Sequence, residues 1–219
     1  MPQGVLNLNR NAKKHQLFTA LIYCFMHLAA HLFFHYTVYM RITGGELKGR
    51  FTECPDGIIR PAMDRMRESV FAILGPLEGK SFLDLFSGSG TIAIEAVSRG
   101  ADRVVLCEKD KLKTRTLIKN VSMTESMGKK IECHFMPVEL FLKRCHDQFD
   151  FIFCDPPFPY RFHQDLIKIV SEGKLLTPTG QVLIHRPAEK DMPDRLGDLI
   201  KKDHRIYGRS IVDFYGYDD

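Results

Sequence analysis

A chain of 219 residues with 44% hydrophobic and 26% charged side chains can bury one sizeable α/β core plus a small appendage, which excludes a disordered protein. The net charge of +4 does not mark a general nucleic-acid binder: residues 1–39 carry Arg10, Lys13 and Lys14 and no acid, leaving 28 bases against 27 acids in the rest. The six cysteines contain no Cys-x-x-Cys pair, and neither Cys133-His134 nor Cys145-His146 has the spaced partners of a zinc site; reduced thiols in a cytoplasmic protein, without a metal, are expected.

Residues 1–16 are polar, and Leu17 to Tyr39 follow as an apolar, aromatic run long enough to cross a bilayer at ~1.5 Å rise per residue. His27, His31 and His35 would line one face of such a helix. A membrane-surface or spanning helix and a metal-binding stripe are both open readings, whereas a signal peptide lacks its small-x-small cleavage site. The segment lacks the helix caps, turns and alternating polarity that would let it join an α/β core, so residues 1–39 are set apart as a hydrophobic extension outside the functional domain, and no membrane is expected for the core.

Residues 40–78 form a second unit. Met40 to Thr43 and Gly49 to Glu53 predict a small hairpin, and Pro61 opens an arginine-rich helix with Met63, Met66, Val70, Phe71 and Leu74 on one face and Gly75-Pro76 as its stop. Arg41, Lys48, Arg50, Arg60, Arg65 and Arg67 are the densest basic set and the candidate RNA-binding residues. Four acids lie among them and Glu68 follows, so a solvated surface with internal ion pairs competes with that reading, as does an internal bracing role for the arginines of the helix.

From residue 79 to 219 strand and helix alternate. Strands are expected at 81–86, 103–108, 131–136, 149–154 and 180–185, and helices near 90–99, 110–127, 138–146 and 162–172. A short helix near Asp191 to Gly197 and a closing hairpin over 203–217 complete the pattern. Right-handed crossovers then give a parallel sheet whose ligands bind at the carboxyl ends of its strands.

Three carboxylates stand at such ends. Phe82, Leu83, Leu85 and Phe86 make the apolar run of a buried strand, and Gly88 and Gly90 let the backbone approach a ligand before the helix restarts. Gly88-x-Gly90-x-x-Ala93 satisfies the loose dinucleotide fingerprint, but Asp84 would repel a pyrophosphate and could hold a cationic amino group, such as the methionyl end of S-adenosylmethionine. Glu108 closes the next strand at the distance, about 20 residues on, of a ribose-binding carboxylate, which both cofactor families use. Asp155-Pro156-Pro157-Phe158 ends the strand at 149–154. A carboxylate and a backbone carbonyl there can accept the two N–H bonds of an exocyclic amine on a flat base, with prolines stiffening the loop and Phe158 stacking on the ring. A merely rigid turn is the structural alternative.

Met40-Arg-Ile-x-Gly-Gly, Lys48-Gly-Arg50, Arg60-Pro-x-x-Asp64-Arg-x-Arg67-Glu68-x-x-Phe71, Asp84-Leu-Phe-Ser-Gly-Ser-Gly90 and Asp155-Pro-Pro-Phe158 together resemble the bacterial 16S rRNA guanine-N2 methyltransferases of the RsmD type, over Met40 to Asp219. The resemblance implies the seven-stranded, mostly parallel class I methyltransferase sheet with helices on both faces. It implies S-adenosyl-L-methionine as donor and one guanine of 16S rRNA, in the small ribosomal subunit or its assembly intermediate, as acceptor, with the enzyme a monomer. Asp84, Phe86, Gly88, Gly90, Glu108, Val138 and Asp155 would then line the cofactor, and Asp155, Pro156, Pro157 and Phe158 the acceptor base. The chain departs from its relatives at Ala62 and Ala72, where Thr and Asn are common, and at Pro137, where an Asp can accept from the adenine amino group; the Val138 backbone N–H would serve instead. A DNA adenine-N6 methyltransferase, a nicotinamide oxidoreductase and a binding module without chemistry are the competing functions.

Overall fold

The computed structural model describes residues 38–54 and 61–218, which belong to one compact unit beginning at Val38. His27, His31, His35 and Arg60 lie outside the described residues. The hairpin consists of β1 (Val38–Arg41) and β2 (Phe51–Cys54). It begins before Met40, because Val38 pairs with Cys54 and Tyr39 with Glu53. Helix α1 (Pro61–Leu74) follows.

The core alternates as the periodicity predicts: β3 (Ser81–Leu85), α2 (Thr91–Ser98), β4 (Arg103–Cys107), α3 (Thr114–Val121), β5 (Glu132–His134), α4 (Val138–Arg144), β6 (Phe149–Cys154), α5 (His163–Glu172) and β7 (Leu176–Pro187). The helix expected over 110–127 is instead α3 between two 3₁₀ turns, Lys111–Lys113 and Ser122–Met127. No helix forms near 191–197. Arg195 and Leu196 are a short strand, β8 (Arg195–Leu196), folded back on β9 (Leu199–Tyr207) through Gly197-Asp198, with Gly197 at φ 63°. A two-residue turn with glycine at positive φ outweighs a weak helical pattern that already contains Pro193. β10 (Ser210–Tyr217) completes the chain.

Seven strands run in the order β5-β4-β3-β6-β7-β10-β9, and β8 adds a short eighth at the edge. β5 through β7 are parallel, and β10 runs antiparallel to both of its neighbours, β7 and β9. From β3 the chain winds outward through β4 and β5, then returns to lay β6 on the other side of β3. The crevice at the carboxyl ends of β3 and β6 is thus the topological switch point, where open α/β sheets bind ligands.

Both faces of the sheet are covered. Leu83, Leu85, Val105, Ile152, Cys154, Val182 and Ile184 join residues of α4 and α5 in one cluster. Phe82, Val104, Leu106, Phe153 and Leu183 join α1, α2 and Leu117 in the other. The strand period of two does the sorting.

The hairpin is fastened to α2 rather than hanging from it. Gly45, at φ 73°, lies so close to the end of α2 that a Cβ would stand 1.7 Å from the Ser98 carbonyl oxygen. Only glycine fits there. The Ser98 hydroxyl donates to the Gly44 carbonyl and accepts from the Leu47 N–H. Nearer the switch point, the Asn120 amide bonds both backbone groups of Glu53 and donates to the Ser89 carbonyl, joining β2 to the glycine turn.

Candidate active site

The same period of two that sorts the core also aims the site. Phe82, Leu106, Phe153 and Leu183 all face the α1 and α2 side, so the residues two further on in each strand direction, Asp84, Glu108, Asp155 and His185, are delivered to that side at the carboxyl end of the sheet. The structure therefore brings together the three carboxylates expected from the sequence and adds a histidine.

Asp84 is 1% exposed. Its Oδ2 accepts from the Ser87 hydroxyl at 2.5 Å and from the Ala93 N–H at 3.2 Å, so the carboxylate closes the glycine turn from beneath. Burial pushes its pKa up to about 7; the two hydrogen bonds oppose this, and the nearby Asp155 and Glu108 charges add to it. Such a group gains by having a cation beside it.

Between Leu85 and α2 the backbone passes through positive φ at Phe86 (63°), Gly88 (58°) and Gly90 (79°). For the two glycines this is inexpensive. For Phe86 it is strain of order 1–3 kcal/mol, the kind stored at functional sites, and the ring is held edge-on against Tyr160 with centroids 5.2 Å apart.

Glu108 is also buried. Its Oε2 accepts from the Gly88 N–H and its Oε1 from the Asp110 N–H, both at 2.8 Å, with Lys113 Nζ 3.8 Å away. The Gly88 N–H, which a dinucleotide site would aim at phosphate, is thus committed to a carboxylate. A carboxylate has about four lone-pair sites, so Glu108 keeps capacity for the two hydroxyls of a ribose. Val138 is the first residue of α4, where a backbone N–H has no partner within the helix, and its side chain is buried in the core.

The Asp155 loop is braced on several sides. Asp155 leaves β6 with its Oδ1 2.8 Å from His185 Nδ1. Pro156 is buried, Pro157 and Phe158 are exposed, and the Tyr160 N–H donates to the Pro157 carbonyl at 2.8 Å to tighten the turn. The Tyr160 hydroxyl donates to Glu139 at 2.8 Å, and burial together with that carboxylate raises its pKa well above the ordinary tyrosine value. Lys190 Nζ donates to the Tyr160 carbonyl. His163 stacks edge-on against Tyr160, and its burial, with Lys190 and Arg186 nearby, lowers its pKa to about 4. Phe158 is 47% and Phe162 59% exposed, two aromatic rings offered on one stiffened loop. His185, Tyr160 and Glu139 are site residues that reading motifs alone misses. His185 was within reach, since it ends the expected strand 180–185.

The basic set divides. Arg41, Lys48, Arg50 and Arg65 are exposed. Arg67 is not a surface residue: it is 1% exposed, its guanidinium donates to the Arg41 carbonyl at 2.6 Å, and it lies 3.2 Å from Asp64 and 3.5 Å from buried Glu95. Its assignment to RNA is corrected to internal bracing.

A family model described as Conserved hypothetical protein 95 matches residues 40–216. Ribosomal RNA small subunit methyltransferase D of Escherichia coli (strain K12) is 30% identical over 157 residues, covering 70% of this chain and 78% of that protein. The protein of the same name from Buchnera aphidicola subsp. Acyrthosiphon pisum is 34% identical over 192 residues, covering 82% and 92%. The solved structure of Escherichia coli yhhF has a TM-score of 0.74 at 27% identity, covering 83% of this chain and 99% of that one. The match from hairpin to closing strands, on a sheet of the expected order, shows that the chain belongs to the family of small-subunit ribosomal RNA methyltransferases of the D (RsmD) type.

Proposed function

We propose that this chain transfers a methyl group from S-adenosylmethionine to the exocyclic N2 of a guanine in 16S rRNA, acting in the cytoplasm as a monomer on the small ribosomal subunit or an assembly intermediate. The observation that carries the reading is the charge of the switch point: Asp84, Glu108 and Asp155 surround a glycine turn whose Gly88 N–H is already bonded to Glu108. That arrangement repels a pyrophosphate and suits a cofactor with an ammonium and a sulfonium. When bound, S-adenosylmethionine supplies a methyl carbon activated by its positive sulfur, so neither a metal nor a strong base is required.

The residues then divide the work. Asp84 faces the amino group, Glu108 the ribose and the start of α4 the adenine. Asp155 and the Pro156 carbonyl accept the two N–H bonds of the guanine amine and turn its lone pair toward the methyl carbon, while Phe158 stacks on the base. As the new N–C bond forms the methyl–sulfur bond would break, its electron pair returning to sulfur to leave S-adenosylhomocysteine, and the nitrogen would shed one proton to Asp155 or to water. Exposed Arg41, Lys48, Arg50 and Arg65 supply rRNA phosphate contacts.

Two measurements test this. Calorimetry should show binding of S-adenosylhomocysteine and none of NAD. Methyl incorporation should appear in small subunits lacking the modification, mapped by mass spectrometry to a guanine N2, and be absent with duplex DNA. Methylation of adenine in DNA would overturn the acceptor assignment while leaving the cofactor assignment standing.

A further inference from the structure

β6 and β7 are parallel neighbours, and Cys154 is in register with Ile184. The next residues, Asp155 just past the end of β6 and His185 within β7, therefore stand beside each other on the same face. His185 is 12% exposed and Asp155 22%. An ionised carboxylate only accepts, so at 2.8 Å it is Nδ1 of the histidine that carries the hydrogen and donates to Oδ1. The adjacent Arg186 does not compete, being turned to the other face, where it pairs with buried Asp213.

The other ring nitrogen is the informative one. Among the described residues, Nε2 of His185 is enclosed with no hydrogen-bond partner. A buried polar atom left unmet costs stability, and a leucine or phenylalanine would fill similar space without that cost. Among the described residues, the one polar bond the imidazole makes is to Asp155, the carboxylate given the acceptor amine above.

We propose that His185 is a positioning residue for methyl transfer: its Nδ1–H fixes Oδ1 of Asp155, which leaves Oδ2 turned toward the acceptor nitrogen. This rests on the role given to Asp155 above. Without the bond, the carboxylate rotates freely about its terminal torsion, and the amine is held in the attacking geometry for a smaller fraction of the time. The bound donor is untouched by this. His185 therefore acts on turnover and not on cofactor affinity.

Asparagine and glutamine separate the two ring nitrogens, because Asn places its amide N–H near the Nδ1 position and Gln near the Nε2 position. In the full chain, with small subunits lacking the modification as substrate, His185→Gln should lower kcat roughly 10- to 100-fold, the size expected for losing a hydrogen bond to a charged group. KM for the subunits and the dissociation constant of S-adenosylhomocysteine should stay near those of the unsubstituted chain. His185→Asn should recover most of the lost rate, although both variants replace an aromatic ring and so disturb packing alike. Equal rates for Asn and Gln, or a loss confined to KM or to thermal stability, would overturn the proposal. Asp155→Ala run alongside keeps the two readings apart. If it retains turnover, the role of Asp155 fails; if it is inactive while His185→Gln is fully active, only the role of His185 fails.

Discussion

Glu95 of α2 lies 3.5 Å from Arg67 of α1, with both side chains out of solvent, and the same carboxylate accepts from the Thr43 N–H and hydroxyl and from Arg99 Nε. One acid thus joins the hairpin, the arginine-rich helix and the helix that follows the cofactor turn. Removing one partner of a buried ion pair leaves the other charge unmet, which costs about 3–5 kcal/mol. Arg67→Ala and Glu95→Ala should each destabilise the protein, seen as a lower melting temperature and denaturant midpoint; Glu95→Ala should be the worse and fall in that range, because three donors lose their acceptor and two arginines their counter-charge, whereas Glu95 keeps Arg99 when Arg67 is lost. An Arg67→Ala protein as stable as the parent would show that the cluster contributes nothing.

Glu108 bonds Gly88, and in the function proposed above it also holds the ribose. Glu108→Ala should weaken S-adenosylhomocysteine binding roughly 10- to 100-fold, equivalent to about 1.5–3 kcal/mol for bonds to a charged group. Glu108→Gln keeps one acceptor oxygen and should lie between. Calorimetry on both variants checks this, and an unchanged dissociation constant for the alanine variant would place the ribose elsewhere.

If Asp84 faces the amino group as proposed, cofactor affinity depends on pH. The pKa of Asp84 in the folded protein is raised by burial to about 7, so below that pH it is increasingly protonated and cannot attract an ammonium. Affinity for S-adenosylhomocysteine should fall by up to about tenfold per pH unit below 7, the limit for a single required ionisation. The sign for stability is opposite. A carboxyl with a raised folded pKa binds its proton more tightly when folded, so its contribution is complete below about pH 4 and is lost as pH rises through about 7. Asp84→Asn should flatten both profiles. Denaturation and calorimetry from pH 5 to 8 measure them, and an unaltered pair of profiles in the asparagine variant would remove Asp84 from the account.

Much of this was legible in the chain because it is written in short-range patterns. The apolar run before Gly88, the acids two steps beyond Phe82, Leu106 and Phe153, and the prolines after Asp155 are local signals that a strand period of two turns into one cluster. What the chain hides is pairing across distance. Nothing near Arg67 says that its guanidinium will meet Glu95, 28 positions away, instead of solvent. His185 looks like any strand residue until β6 and β7 are placed side by side. The failed helix near 191–197 is a conflict of local signals, in which Gly197-Asp198 made a turn and the neighbouring strand supplied the hydrogen bonds that a helix would have made internally.

With Arg67 inside, the exposed Arg65 becomes the helix residue to test against RNA. Arg65→Ala should raise the apparent KM for small subunits and reduce the slope of log K against log salt by somewhat under one, as expected for one lost phosphate contact. The melting temperature and S-adenosylhomocysteine binding should not move. Arg67→Ala should show the reverse, a stability loss with the salt slope intact. If Arg65→Ala leaves the slope unchanged, the rRNA contact lies elsewhere on the hairpin.

The last prediction concerns where the working domain begins. The family model starts at residue 40, and Met40 could initiate a chain, yet β1 begins at Val38. A chain starting at Met40 would lose the Val38 to Cys54 and Tyr39 to Glu53 pairs, two of the four in the hairpin. These sit at the end where Glu53 is bonded to Asn120 and, through it, to the Ser89 carbonyl of the glycine turn. Fraying there should reach the cofactor site. We propose that residues 1–37 are dispensable and that Val38 and Tyr39 are not. A chain from Val38 should match the full chain in melting temperature, S-adenosylhomocysteine affinity and methylation rate, whereas a chain from Met40 should melt lower and bind the cofactor product more weakly. Equal behaviour of the two short chains would show that the β1 extension is decorative, and loss of activity in both would make the first thirty-seven residues a working part of the enzyme.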